Sequence, residues 1–353
     1  MTLEEGTVQI SELFDIRITN DSGRACFANR DLKKNTDVLC LKKCLGASTC
    51  YEFRKEVCSQ CFRYEGGRRM KVRLDNKYPK GAGLWFCTEN CRDQFLRQEH
   101  VDHLTDAYEI LLVNWEAQAK KRVGRVDNAS NTSASTEEIE SLWQDIRDNW
   151  ITRIDCMKPT KRASQLPIIN EDEYVCARFV IHCLFTLETS HASSLQMTAF
   201  RNLQSNESSK IMKFPVLLDL QKHVFQTLYI LLPSFLRPKF DIPTYRHILG
   251  SEYGNSFGIW QNEESSDSRE YLGYWVLPEA SFFNHSCAPN LIKHRAGNQM
   301  VFTLNSDVLK DQELCIDYKD ILHLKVDERR RILKENWFFS CECSRCKLET
   351  QIN

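Results

Sequence analysis

The chain has 353 residues, of which 42% are hydrophobic and 27% charged, and its formal net charge is −1. That balance excludes a broad electrostatic pull toward nucleic acid or anionic membrane. No apolar run reaches the ~18–20 residues that span a bilayer, so no membrane association is expected. The opening MTLEEGTVQI has neither the basic start nor the apolar stretch of a secretory signal. An intracellular location is therefore expected, cytoplasmic, nuclear or both. Thiols stay reduced there, so the 16 cysteines are read as metal ligands where they cluster and as small buried hydrophobes where they scatter.

Residues 13–40 read as short strands broken by a turn at Asn20-Asp21-Ser22-Gly23. Residues 58–103 are rich in Cys, Gly and basic residues and hold few large apolar ones. Such a segment is expected to need a metal in place of a core. Cys58-x-x-Cys61 and Cys87-x-x-x-Cys91 supply four thiolates at zinc-ligand spacing, and His100 and His103 follow. Between the pairs lie Arg63, Arg68, Arg69, Lys71, Arg73, Lys77 and Lys80 against only Glu65 and Asp75. A solvated loop is the first expectation for this 63–80 stretch, and contact with an acidic partner or nucleic acid the second.

Residues 116–137 are polar and small and read as a flexible linker. A helix follows, with Ser135 and Glu138 as a capping box and Ile139, Leu142, Trp143, Ile146 and Trp150 at helical spacing. Further helices are predicted over Tyr174–Leu187, capped by Asn170 and Glu173, and over Val216–Leu232, stopped by Pro233. Another runs from Pro243 to Leu249, with Gly250 just past its end. From 256 onward the texture turns to strands, including Met300–Leu304 and Glu313–Tyr318, before a helix over Arg329–Trp337. Cys26, Cys40, Cys176, Cys183 and Cys315 lie in apolar runs and are expected in the core.

The chain closes on Cys341-x-Cys343-x-x-Cys346. Three thiolates so close can hold one zinc, but a closed site takes four ligands. Cys287, in the run SFFNHSCAPN at 281–290, is the best candidate for the fourth.

Three motifs in order carry a family resemblance. Residues 281–290 (SFFNHSCAPN), 311–318 (DQELCIDY) and 329–346 (RRRILKENWFFSCECSRC) resemble the signatures of SET-domain methyltransferases and their post-SET zinc cluster. The Cys58–Cys91 insert resembles a MYND finger, placing the chain with short, fungal-type SET-and-MYND proteins. A MYND finger interleaves two zinc sites from four ligand pairs. Residues 62–86 contain no Cys or His, so the second pair is absent. One zinc on Cys58, Cys61, Cys87 and Cys91 is expected there, with a surface role for His100 and His103.

The resemblance implies an α+β fold: a SET-domain β-fold with a pseudoknot, in which 281–290 threads beside the strand ending at Tyr318. The expected divisions are 13–50 for the N-terminal SET part, 51–104 for the MYND-like insert and 105–239 for a helical insertion. The C-terminal SET core follows at 240–322, and the post-SET helix and cluster at 323–353. The implied activity is protein lysine N-methylation from S-adenosylmethionine, on a protein presenting a lysine, a histone or another, by a monomer carrying two zinc ions. Tyr318 is implied as catalytic, lining a narrow channel. Ser22, Gly23, Arg24, Asn255, Ser256, Asn284, His285, Tyr318 and Phe339 are implied cofactor contacts. Cys287, Cys341, Cys343 and Cys346 are the second zinc set.

The sequence departs from the family pattern at Ala25, which replaces the second glycine of the cofactor turn, and at Leu277-Pro278, where Tyr-Pro is usual. Together with the missing zinc pair, these departures define the competing expectation, a weakly active or inactive zinc-dependent interaction module.

Overall fold

Alternating side chains in the strand Phe14–Thr19 bury Phe14 and Ile16 and leave Ile18 exposed. It pairs antiparallel with Gly23–Ala28, from Phe14↔Ala28 to Thr19↔Gly23. This computed structural model describes residues 10–19, 23–74, 77–123, 134–261 and 269–352. The chain divides into two compact units. One gathers Met1–Cys44, Leu195–Leu203 and Leu277–Asn353, the other Leu45–Ser194 and Gln204–Val276.

The first unit holds two sheets. In one, the order is Phe14–Thr19, Gly23–Ala28, Glu313–Ile316 and Asn284–His285. The last pair is parallel, with Cys315 opposite Asn284 and Ile316 opposite His285. A parallel pair so distant in sequence needs a long crossover. Here the crossover includes the second sheet, in which Gln299–Leu304 lies between Leu291–Ala296 and Asp37–Leu41. In Asp37–Leu41, Val38 and Leu39 are buried, whereas Cys40 is exposed with its thiol 3.4 Å from Gln299 Oε1, against the expectation of a core cysteine. The helix Val326–Trp337 ends at Phe338, which takes a left-handed φ of 64°, and turns the chain into the C-terminal cysteines.

The second unit is mostly helical. Both capping boxes form: Ser135 with Glu138 starts Thr136–Asp145, and Asn170 with Glu173 starts Glu171–Thr189. Glu171–Thr189 packs on the strand Gly46–Thr49, where Ser48 Oγ donates to the Val175 carbonyl over 2.9 Å. That strand pairs with Tyr271–Val276, which in turn pairs with Ser256–Trp260.

Three expectations change here. The helix predicted to stop before Gly250 runs on as Ile242–Asn255. Gly250 is not a terminator. A Cβ there would collide with the Ser205 hydroxyl, so the glycine permits a close approach inside the helix. The supposed linker is helical as far as it is described before residue 124, in Val101–Ala117 and Ala119–Arg122, while 124–133 lie outside the described residues. The cysteine-rich insert also buries large apolar residues, Phe62, Met70, Leu84, Trp85, Phe86 and Phe95, with the Phe62 ring packed on Trp275 of the second unit's sheet.

Gly273, in the middle of the second unit's sheet, has φ +153°, and a Cβ there would strike the Ser48 carbonyl. Gly273→Ala is therefore expected to destabilise the protein by about 2–4 kcal/mol, as a lower urea midpoint at unchanged slope.

Candidate metal centres and active site

Parallel pairing at Ile316↔His285 carries Cys287 toward the tail, while Val326–Trp337 and the turn at Phe338 bring the tail back. Cys287, Cys341, Cys343 and Cys346 converge, with their four Sγ atoms within 4.8 Å of one another. Cys287 Sγ lies 3.9 Å from Cys341 Sγ and 3.5 Å from Cys346 Sγ. These separations are too long for a disulfide, and all 16 cysteines are free. They match the edge of a tetrahedron with Zn–S of about 2.3 Å, so the four thiols fit a closed zinc site.

The surroundings of this centre are basic. Arg329 is 0% exposed and directs Nη2 to Cys346 Sγ at 3.5 Å and to Glu349 at 2.8 Å. Arg345 donates to the Cys287 carbonyl over 3.0 Å and to Glu349 over 2.7 Å, and Arg330 donates to the Cys341 carbonyl over 3.0 Å. A fully buried cation needs buried negative charge. Four thiolates around a divalent ion leave a net double negative charge that answers this need. None of the three arginines was singled out from the sequence: Arg329 and Arg330 lie in an RRR run that reads as a solvated helix face, and Arg345 stands between two cysteines with no local partner.

In the second unit, Cys58, Cys61, Cys87 and Cys91 form an equivalent group, again within 4.8 Å. Cys61 and Cys87 are 3.7 Å apart and Cys87 and Cys91 3.5 Å. The hairpin of Val72–Arg73 with Trp85–Phe86 delivers the second pair, and Thr88 caps Glu89–Leu96 by accepting from the Cys91 amide. The hydrogen bond between the Cys58 and Cys61 thiols holds Cys58 below the ordinary thiol range and Cys61 above it. His100 and His103 join neither group: His103 stacks on Phe235 at 3.8 Å, and His100 is half-exposed beside Glu99. In the basic loop, Arg63, Lys77 and Lys80 are ion-paired with Glu65, Asp106 and Glu116. Arg69 and Arg73 lie over the Trp85 ring.

Tyr318 follows directly on the parallel strand pair. Its amide donates to His285 Nδ1 over 3.2 Å and its hydroxyl to the Phe283 carbonyl over 3.1 Å. Its ring packs with Trp337 at 5.2 Å and with His285 at 5.4 Å, and Phe339 stands edge-on at 6.3 Å. Burial, with lesser help from Cys315, Cys26 and Glu313, pushes the phenol pKa well above its ordinary value. Burial also draws His285 down to about 4.

Asn284 gives its amide to the Arg24 carbonyl at 3.2 Å and to Glu313 at 3.0 Å. Gly23 takes φ +70° with open space where a Cβ would be, and the buried Ala25 sits in the strand opposite Arg17. Ser22 lies outside the described residues. Asn255 and Ser256 belong to the second unit, where Asn255 ends a helix and donates to the Ser251 carbonyl over 2.8 Å.

Two neighbours escaped the sequence reading. Glu313 orients Asn284, and Lys293 donates Nζ to the Tyr318 carbonyl over 3.2 Å, with burial drawing its ammonium down to about 8. Strand alternation between Leu291 and Arg295 was the available signal for an inward Lys293.

The SET-domain family profile matches residues 23–319. The potential protein lysine methyltransferase SET6 of Saccharomyces cerevisiae is 48% identical over 370 positions, covering 99% of each chain. A SET and MYND domain-containing protein of Dictyostelium discoideum is 35% identical over 29% of this chain and 25% of its own. The N-lysine methyltransferase SMYD2-B of Danio rerio is 30% identical over 33% of this chain and 26% of its own. The last two are thus matched over about a quarter of their length.

Elemental analysis is expected to find two zinc ions per chain, and Cys58→Ser and Cys287→Ser each to leave one. A protein purified with no zinc, or with four ions, would overturn this assignment of the cysteines.

Proposed function

The chain belongs to the SET-domain family, and we propose that it is a protein lysine methyltransferase that draws its methyl group from S-adenosylmethionine. The observation that carries this reading is the placement of Tyr318. Its phenol closes against the Phe283 carbonyl beside the parallel crossing of Asn284–His285 with Glu313–Ile316.

When bound, the cofactor supplies an electrophilic methyl on a sulfonium. Every other requirement falls on the protein: an amine must be held in line with that methyl, kept neutral and kept dry. A lysine has an ordinary pKa of ~10.4, and an apolar channel disfavours its charged form. Tyr318, Trp337 and Phe339 supply aromatic walls. Because burial keeps the phenol protonated, Tyr318 is not a general base. Its proton is committed to the Phe283 carbonyl, which frees the oxygen lone pairs to orient the amine and face the positive methyl.

Asn284 has both amide hydrogens engaged, by the Arg24 carbonyl and Glu313, so its Oδ1 remains to accept from the ammonium of the cofactor's methionine end. Gly23 and Arg24 contribute backbone to the same side, and Phe339 an aromatic face for adenine. The two zinc ions are structural: each fits a set of four thiolates with no open position. The substrate is a protein lysine, and a histone tail is one such substrate.

Tyr318→Phe removes the hydroxyl and leaves the aromatic packing. Turnover with labelled donor is expected to fall at least about a hundredfold, while cofactor affinity by calorimetry stays within about twofold. Equal turnover would remove Tyr318 from this role.

A further inference from the structure

Strand pairing along Glu313–Ile316 ends at Ile316, whose carbonyl accepts from the Ser286 amide over 3.0 Å. The next residues have no strand beside them. At Tyr318 the missing acceptor comes instead from a side chain: the backbone amide donates to His285 Nδ1 over 3.2 Å. A peptide N–H can only donate, so Nδ1 is unprotonated and the ring proton sits on Nε2. Asp317 is 3.6 Å from Nδ1, too far to compete for a proton there. Nε2 in turn lies 3.3 Å from Cys287 Sγ, so this second bond runs N–H to sulfur. The imidazole side chain is 0% exposed to solvent.

We propose that His285 is a positioning residue whose imidazole couples the metal-bound sulfur of Cys287 to the backbone of Tyr318. The C-terminal zinc centre thereby helps to fix where the phenol stands. The proposal rests on the zinc and Tyr318 readings above and adds a direction to them. A thiol is a weak acceptor, whereas a zinc-bound thiolate carries charge and accepts strongly. Loading the metal therefore strengthens the Nε2–H bond, locks the tautomer and presents a permanent acceptor to the Tyr318 amide. The ring is clamped on its other sides by Tyr318 and by Phe339 at 6.3 Å, so it has little freedom to flip.

Two variants of the full-length, zinc-loaded protein cut the relay at different bonds. In His285→Asn, the short amide keeps an acceptor near the place of Nδ1 and has nothing at Nε2. In His285→Gln, the longer amide keeps a donor near the place of Nε2 and nothing at Nδ1. Zinc release to a chromogenic chelator, kcat and cofactor affinity are measured for each.

The Asn variant is expected to release one of its two zinc ions about tenfold or more faster than the parent, the other ion serving as internal control, with kcat falling less than in the Gln variant. The Gln variant is expected to keep both release rates within about twofold while kcat falls about ten- to a hundredfold. Loss of metal and activity together in both variants, or change in neither, would overturn the proposal. A parent protein without zinc would instead overturn the metal reading on which it rests.

Should the variants fold poorly, the unaltered protein decides. With 15N-labelled histidine and 113Cd in place of zinc, the His285 proton is expected on Nε2, with a through-bond coupling to the metal. A proton on Nδ1 would sink the idea.

Discussion

The parallel pairing of Asn284–His285 with Glu313–Ile316 is the contact on which the first unit depends. It is short and joins segments that only a long crossover can bring together. Loop closure of that length costs entropy that so few strand bonds do not offset alone. The Cys287 sulfur, two residues beyond the pair, meets three sulfurs from the tail. A metal there closes the same loop a second time and ties the crossing to the helix Val326–Trp337. Because the loop is long and the strands short, most of the stability of this crossing is expected to come from the thiolate cluster.

Charge around that cluster supports the same view. Arg329, fully buried and donating Nη1 to the Leu324 carbonyl over 2.6 Å, would be a costly residue without buried negative charge. With thiols in place of thiolates, only the partly exposed Glu349 would answer it. Loading the cluster converts the arginine from a liability into a donor to sulfur. Arg345 and Arg330 take up the carbonyls of Cys287 and Cys341 and so hold the ligand-bearing backbone itself. The metal, the arginines and the crossing are one interdependent arrangement.

Much of this is legible in the sequence, and the parts that are not share a cause. Ligand spacing, capping boxes and the three ordered motifs are local patterns, so Ser135 with Glu138, Asn170 with Glu173, and the two thiol groups all appear where the residues indicate. Gly250 misleads because a glycine after an apolar run signals a stop, whereas its reason for being there is the Ser205 side chain packed against it. The basic run 63–80 reads first as a solvated loop, and its ion pairs to Asp106 and Glu116, both on the helix Val101–Ala117, could not be seen in the local pattern. Arg329, Glu313 and Lys293 are invisible for the same reason: each is a charged residue in an ordinary position until a partner far along the chain gives it a task.

That dependence on distant partners also explains why Tyr318 sits where it does. Its ring, amide, carbonyl and hydroxyl are each held by a different segment: Trp337 at the end of the helix Val326–Trp337, His285 in the crossing, Lys293 in the second sheet and Phe283 just ahead of Asn284. A phenol restrained from four sides loses little entropy when substrate arrives and keeps its oxygen in one place. Such restraint could be built from apolar packing alone, but packing tolerates small shifts that directional hydrogen bonds resist. Placing the tyrosine at the end of a strand, where its backbone groups are unclaimed by the ladder, is what lets side chains from the metal-bound loop and the second sheet take hold of them.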